Sequence, residues 1–208
     1  MLHRFRRITS DTWFALGLEF FAIVMGVLFA LNVDEWREQR QIEEMNAIAV
    51  ERLNDEILRN YEEIERSARI VEERYARLAG LTVGTDGPFS EKLVQFGGYN
   101  FPDLKSSVWQ RMGHDTLANR IDPLYIDGAT ELYNQNRLLD RLSDRIFDLT
   151  VSDTFHDPEL APLTWNISRT MVLQQIQWER EALARYEDFI QRHMPGALAA
   201  DAPIAPAR

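Results

Sequence analysis

The sequence predicts an all-α protein, and three observations carry that prediction. No Pro or Gly occurs between Val27 and Ala79, where Glu, Arg, Leu, Ile and Ala dominate, all strong helix formers. Apolar residues return at intervals of three and four in two further long segments, and no useful stretch alternates in the manner of a strand. Turn formers gather in a few short clusters that divide the helices. The expected architecture is an N-terminal transmembrane helix that continues into a long stalk helix and packs with a small helical bundle.

The first element is WFALGLEFFAIVMGVLFALNV, Trp13 to Val33. About 20 apolar residues cross a hydrocarbon core of about 30 Å, and this stretch offers 21. Twelve of them are Leu, Ile, Val or Phe, each contributing about −0.3 to −0.6 kcal/mol to insertion, which outweighs a cost of roughly 3 kcal/mol for an acidic group. Glu19 is therefore tolerated. At 100° per residue, Ala15, Ala22, Gly26 and Ala30 share a face with Glu19, while Phe20, Val24, Leu28 and Leu31 lie opposite. Small residues at this spacing let two helices approach closely in lipid, with Glu19 sheltered on the seam. Trp13 and Trp36 flank the span as interfacial anchors. A cleaved signal peptide is the rival reading, but the apolar run is long for one and ends without a suitable cleavage site.

The stalk extends over 34–79. Val50, Ile57, Ile64, Val71 and Leu78 recur every seven residues, with Ala47, Asn54, Tyr61, Ala68 and Tyr75 at the second core position. This stripe suits a coiled coil between two chains, or packing on helices of the same chain with Asn54 satisfied there. GLTVGTDGPFS ends the helix. A short helix over 91–96, a punctuated GGYNFPD loop and a helix through LKSSVWQRM, with Asp103 as its cap, come next. Asp122 and Pro123 open a helix with a stripe through Leu124, Ala129, Leu132, Tyr133, Leu139, Leu142, Ile146 and Leu149. After HDPELAP the last helix follows, with Ile167, Met171, Trp178, Ala182, Tyr186 and Phe189, and Pro195–Gly196 stop it. The expected organisation is thus a cytoplasmic N-terminus over 1–12, a transmembrane helix over 13–33, the stalk over 34–79, a bundle domain over 80–195 and a disordered tail over 196–208.

Charge and composition narrow the function. The chain carries 23 basic and 33 acidic residues and no cysteine. From Asp34 onward 20 basic residues face 31 acidic ones, so nucleic acid is not an expected partner. Arg4, Arg6 and Arg7 precede the apolar run and Arg37 and Arg40 follow it, a bias that leads us to expect the N-terminus in the cytoplasm and the remainder in the periplasm of a bacterial inner membrane. His114-Asp115 and His156-Asp157 are the one hint of a metal site, and capping or surface roles explain them more simply. No phosphate loop, nucleotide fingerprint or serine elbow is present, and no cofactor or enzymatic activity is expected. Glu43 with Glu44 and Glu62 with Glu63 read as solvated faces, and Trp109, Trp165 and Trp178 as core anchors.

LEFFAIVMGVLFALNVDEWREQR resembles a group of uncharacterised bacterial single-span membrane proteins. In that group a Glu early in the span precedes a Gly, an Ala-Leu pair and a polar-x-Trp at the exit. The matching positions are Glu19, Gly26, Ala30, Leu31, Asn32 and Trp36. SVWQRMGHDTLANRIDPLYIDGATELY is similar to the group's later segment through Trp109 and Tyr133. Asp34-Glu35 stand where the group often has an Asn beside the Trp. The resemblance implies one span, a helical outer domain and no assigned activity. Together these readings lead us to expect an interaction, scaffold or sensory module. Its expected partners are the lipid bilayer, a second copy paired through membrane helix and stalk, and a further protein. The alternatives are a ligand-sensing bundle, a metal-dependent hydrolase using the His-Asp pairs, and the same anchor with a cytoplasmic stalk.

Overall fold

A computed structural model describes residues 10–78, 87–95, 97–114 and 120–198, apart from the side chains of 10–17, 78 and 114. Helices α1 (Ser10–Leu78), α2 (Phe89–Gln95), α3 (Ser107–His114), α4 (Pro123–Thr150), α5 (Asp153–His156) and α6 (Ala161–His193) follow in order, with a 3₁₀ turn over Pro158–Leu160. No strand occurs among the described residues. The all-α prediction holds, and the apolar segment and stalk form one helix of 69 residues. The chain divides into two compact units, Met1–Ile48 and Ala49–Arg208.

In the first unit the apolar stretch of α1 stands uncovered. Phe20, Phe21, Ile23, Leu28, Phe29 and Leu31 are between 49% and 73% exposed. Among the described residues, no helix is long and apolar enough to cross a membrane. The expected transmembrane helix over Trp13–Val33 is corrected on that finding. So is the location built on it: a single-pass inner-membrane protein, cytoplasmic N-terminus, periplasmic domain, with the bilayer as partner. The physical reason is charge at both ends of the described run. Taken from Leu18, the first described side chain, the uncharged run lies between Glu19 and Asp34-Glu35, Phe20–Val33, 14 residues, and the expectation that Glu19 is tolerated within a longer span is corrected with it. At 1.5 Å per residue these span about 21 Å, short of a hydrocarbon core of about 30 Å. Trp36, expected at an interface, is 57% exposed and carries the Arg40 guanidinium 4.5 Å above its ring.

In the second unit, α4 and α6 pack against each other and against the later turns of α1. The main core joins Leu53, Ile57 and Ile64 of α1 to Tyr125, Ala129, Leu132, Tyr133 and Leu139 of α4 and to Ala182, Tyr186, Phe189 and Ile190 of α6. Each fully buried Leu or Ile of this set contributes roughly 1.5–3 kcal/mol. From Val50 to Tyr75 the stalk stripe is thus satisfied inside its own chain, and Asn54 accepts a 2.7 Å hydrogen bond from the Tyr125 hydroxyl. A second core gathers Phe89, Leu93, Phe155 and Ala161, and a third Val71, Val172 and Ile176.

Local chemistry sets the boundaries. Asp122 accepts from Leu124 N at 2.9 Å and Pro123 takes the first helical position, so α4 starts where the sequence indicates. Leu124 itself, placed on the predicted stripe, is 72% exposed. Gly97 and Gly98 adopt positive φ of 87° and 69° and return hydrogen bonds to Val94 O and Leu93 O. They close α2 with a left-handed turn that a side chain would resist, and the chain continues as an irregular strap over 98–106.

Candidate functional site

The most organised polar region lies where the strap runs along α1. Arg74 Nη1 donates to Gly98 O at 3.1 Å. Asn100 Nδ2 donates to Ser67 Oγ at 3.0 Å, and Asp103 N to Glu63 Oε1 at 3.1 Å. Asn60 then embraces the backbone of Lys105, its Nδ2 donating to the carbonyl at 2.8 Å and its Oδ1 accepting from the amide at 2.7 Å. Along α1 these partners stand at 74, 67, 63 and 60, intervals of seven, four and three that keep one helix face. As the strap rises in number its partners fall, so it runs antiparallel to the helix.

Glu56 completes the series. Its Oε2 accepts from Ser107 Oγ at 3.1 Å and Val108 N at 2.9 Å, and its Oε1 from Trp109 N at 3.3 Å and the Tyr133 hydroxyl at 2.6 Å. A carboxylate from a distant helix thereby caps the free N–H groups of α3 and faces the positive end of its dipole. Asp103, expected as that cap, is instead bonded through its own backbone to Glu63. The Glu63 carboxyl lies below the usual carboxylate range, first because Arg66 donates to it, with the bond from Asp103 N adding to the effect. Glu63 is therefore part of the ladder and not simply a solvated face.

Helix α6 closes the strap from the other side. Gln175 Nε2 donates to Asn100 O at 2.5 Å and to Glu179 Oε1 at 2.9 Å, and Ser67 Oγ donates to the same oxygen at 2.8 Å. Gln175 and Glu179 are both fully buried. Glu179 Oε2 and Gln175 Oε1 have no hydrogen-bond partner among the described residues. Burial pushes the Glu179 carboxyl up to about 7, against the lowering effect of Gln175 and Ser67.

Beside the Glu56 cap, a cavity of about 120 Å³ lies between the end of the strap, α3 and α4. The Trp109 ring stacks on Tyr133 with centroids 5.0 Å apart and planes within 2°, which gives it a rigid aromatic wall. Asn136 and Asp140 line it as well. Burial raises the Asp140 carboxyl above its usual range, with Asp144 adding repulsion.

The residues singled out in the sequence lie elsewhere. Glu19, Ala22, Gly26 and Ala30 are exposed on α1, and nothing lies within 4 Å of a Cβ built on Gly26. Trp13 and Ala15 belong to the helix backbone, their side chains outside the described residues. His156 has a structural position: its ring nitrogens meet Ser90 Oγ at 3.2 Å and Thr150 O at 3.0 Å. Because the carbonyl only accepts, Nε2 carries the proton and Nδ1 accepts from the serine. Asp157 caps the 3₁₀ turn through Glu159 N at 2.9 Å. Among the described residues no three His, Asp or Glu side chains converge as metal ligands, and the His114 side chain and Asp115 lie outside them. Glu56, Asn60, Ser67, Gln175 and Glu179 went unrecognised in the sequence; the only signal was their helical spacing, which solvated faces share. No family model, curated protein or solved structure matches this chain.

Proposed function

We propose that this chain is a helical interaction module that pairs with a second copy of itself through the Phe20–Val33 stretch of α1. The observation that carries the reading is the exposure of that stretch. Leu18, Phe20, Phe21, Ile23, Val27, Phe29 and Leu31 are each more than half exposed, on every side of one helix. Monomeric proteins rarely leave more than a few hundred Å² of contiguous apolar surface in water, and a helix apolar all round is ordinarily covered. The stalk stripe is engaged within its own unit from Leu53 to Val71, which leaves pairing to the earlier turns. Ala22, Gly26 and Ala30 offer a face on which two backbones approach closely, and the space above Gly26 is open.

Sedimentation of the full chain over a range of concentrations tests this. We expect a discrete dimer that Gly26→Leu weakens at least tenfold and that Phe20→Glu, on the opposite face, weakens much less. A monomer throughout, polydisperse aggregates, or a Gly26→Leu variant that associates as the parent does would each refute the pairing.

A further inference from the structure

Asn136 is an unusual residue to find buried. Only 4% of it is exposed. Its Oδ1 accepts a 3.0 Å hydrogen bond from the Tyr186 hydroxyl, which fixes the orientation of the amide. The opposite end, Nδ2, has no hydrogen-bond partner among the described residues, although Asn136 lines the 120 Å³ cavity. A buried donor left unpaired carries a free-energy cost that an acceptor placed in the cavity removes.

The rest of the lining says what that acceptor belongs to. Arg137 and Asp140 stand on the same side of α4, three positions apart, and both border the cavity. Neither forms an ion pair among the described residues, so one cationic and one anionic group remain available to a guest. Lys105, by contrast, is committed to Asp103 at 2.5 Å. Gln110 donates through Nε2 to Ser106 Oγ at 2.8 Å, which leaves its Oε1 as a further acceptor. The aromatic wall is anchored at Glu56, which accepts from the Trp109 main-chain N–H and the Tyr133 hydroxyl. A cavity of about 150 Å³ holds benzene; 120 Å³ therefore takes about five heavy atoms.

We infer that this cavity binds a small α-amino acid, Asn136 Nδ2 and the Arg137 guanidinium receiving its carboxylate and the Asp140 carboxylate its ammonium. Planar guanidinium matches a carboxylate in two-point contact, while the neutral Asn donor stabilises the same group without adding charge to a buried position. The size of the space favours glycine or alanine. The inference is independent of self-association, since every residue it uses belongs to the second unit.

Calorimetric titration of the full chain with glycine and L-alanine, with acetate and methylamine as single-charge controls, provides the test. Both amino acids should bind at least tenfold more tightly than either control. Arg137→Gln, an exposed change, should weaken L-alanine binding at least tenfold while circular dichroism and Tm stay those of the parent. In nitrogen-correlated spectra the Asn136 side-chain amide should shift on titration with L-alanine. Acetate binding as well as the amino acids, no heat from any probe at 10-fold the protein concentration and above into the millimolar range, or L-alanine binding unaffected by Arg137→Gln would each overturn the assignment.

Discussion

Glu56 and Glu179 are both carboxyl groups removed from water, and their surroundings treat them in opposite ways. Glu56 accepts from four donors. Replacing it with Ala strands a hydroxyl, a phenol and two helix N–H groups together, at a cost of about 3 kcal/mol or more. For a chain of this size that lowers Tm by roughly 10 °C, which a thermal melt followed by circular dichroism will register. Glu179 has two donors on one oxygen and, among the described residues, none on the other, and burial lifts its carboxyl from 4.5 to about 7. The folded chain therefore retains a proton that the unfolded chain has released between those values. Its contribution to stability is complete below pH 4.5 and declines as pH rises toward 7, by roughly 3 kcal/mol at most. Glu179→Gln keeps the shape without the charge. It should raise Tm at pH 8 and flatten the change in Tm between pH 5 and pH 8; an unchanged slope would show that Glu179 is not the group responsible.

At the level of elements, the sequence was legible wherever capping chemistry or apolar periodicity set the outcome. Asp122-Pro123 announces α4, and Ala129, Leu132, Tyr133 and Leu139 are buried on it as their spacing indicates. In the first half of α6 the buried line lies one position beyond the predicted stripe: it passes through Ser168, Val172, Gln175 and Glu179, not Ile167 and Met171. Gln175 and Glu179 occupy the core side there because they grip the strap and α1, and hydropathy alone cannot distinguish a gripping side chain from a solvated one. The α3 cap was illegible for a related reason: its carboxylate comes from Glu56, 51 positions before Ser107. The α4–α6 contact also depends on a missing side chain. A Cβ at Gly128 would lie 2.9 Å from Phe189 Cδ2, inside any normal contact. Gly128→Val should therefore destabilise the chain by roughly 2 kcal/mol, the crowding exceeding what helix propensity returns, measurable as an earlier midpoint in urea.

Across the whole molecule, the division at Ile48 and Ala49 separates two kinds of helix within one continuous run. Before it, the described side chains of α1 are mostly exposed; beyond it, they alternate between core, strap and solvent. Protection follows packing. Amide exchange should be slowest at Leu132–Leu139 of α4 and Ala182–Ile190 of α6, where the main core is densest, and faster by orders of magnitude at 18–45 under conditions where the chain is monomeric. Self-association through Phe20–Val33 would then appear as protection of that stretch alone as concentration rises. An equally slow first unit at the highest dilution would contradict the division.

The antiparallel run of contacts between α1 and the strap restricts how this sequence tolerates changes in length. Between Glu56 and Arg74, one inserted or deleted residue rotates everything beyond it by 100°, turning several of the five gripping side chains away from the backbone they hold at a stroke. Substitutions over that interval act one position at a time, whereas the gain or loss of a single codon undoes the latch collectively. Length in this part of the helix is accordingly under tighter constraint than identity.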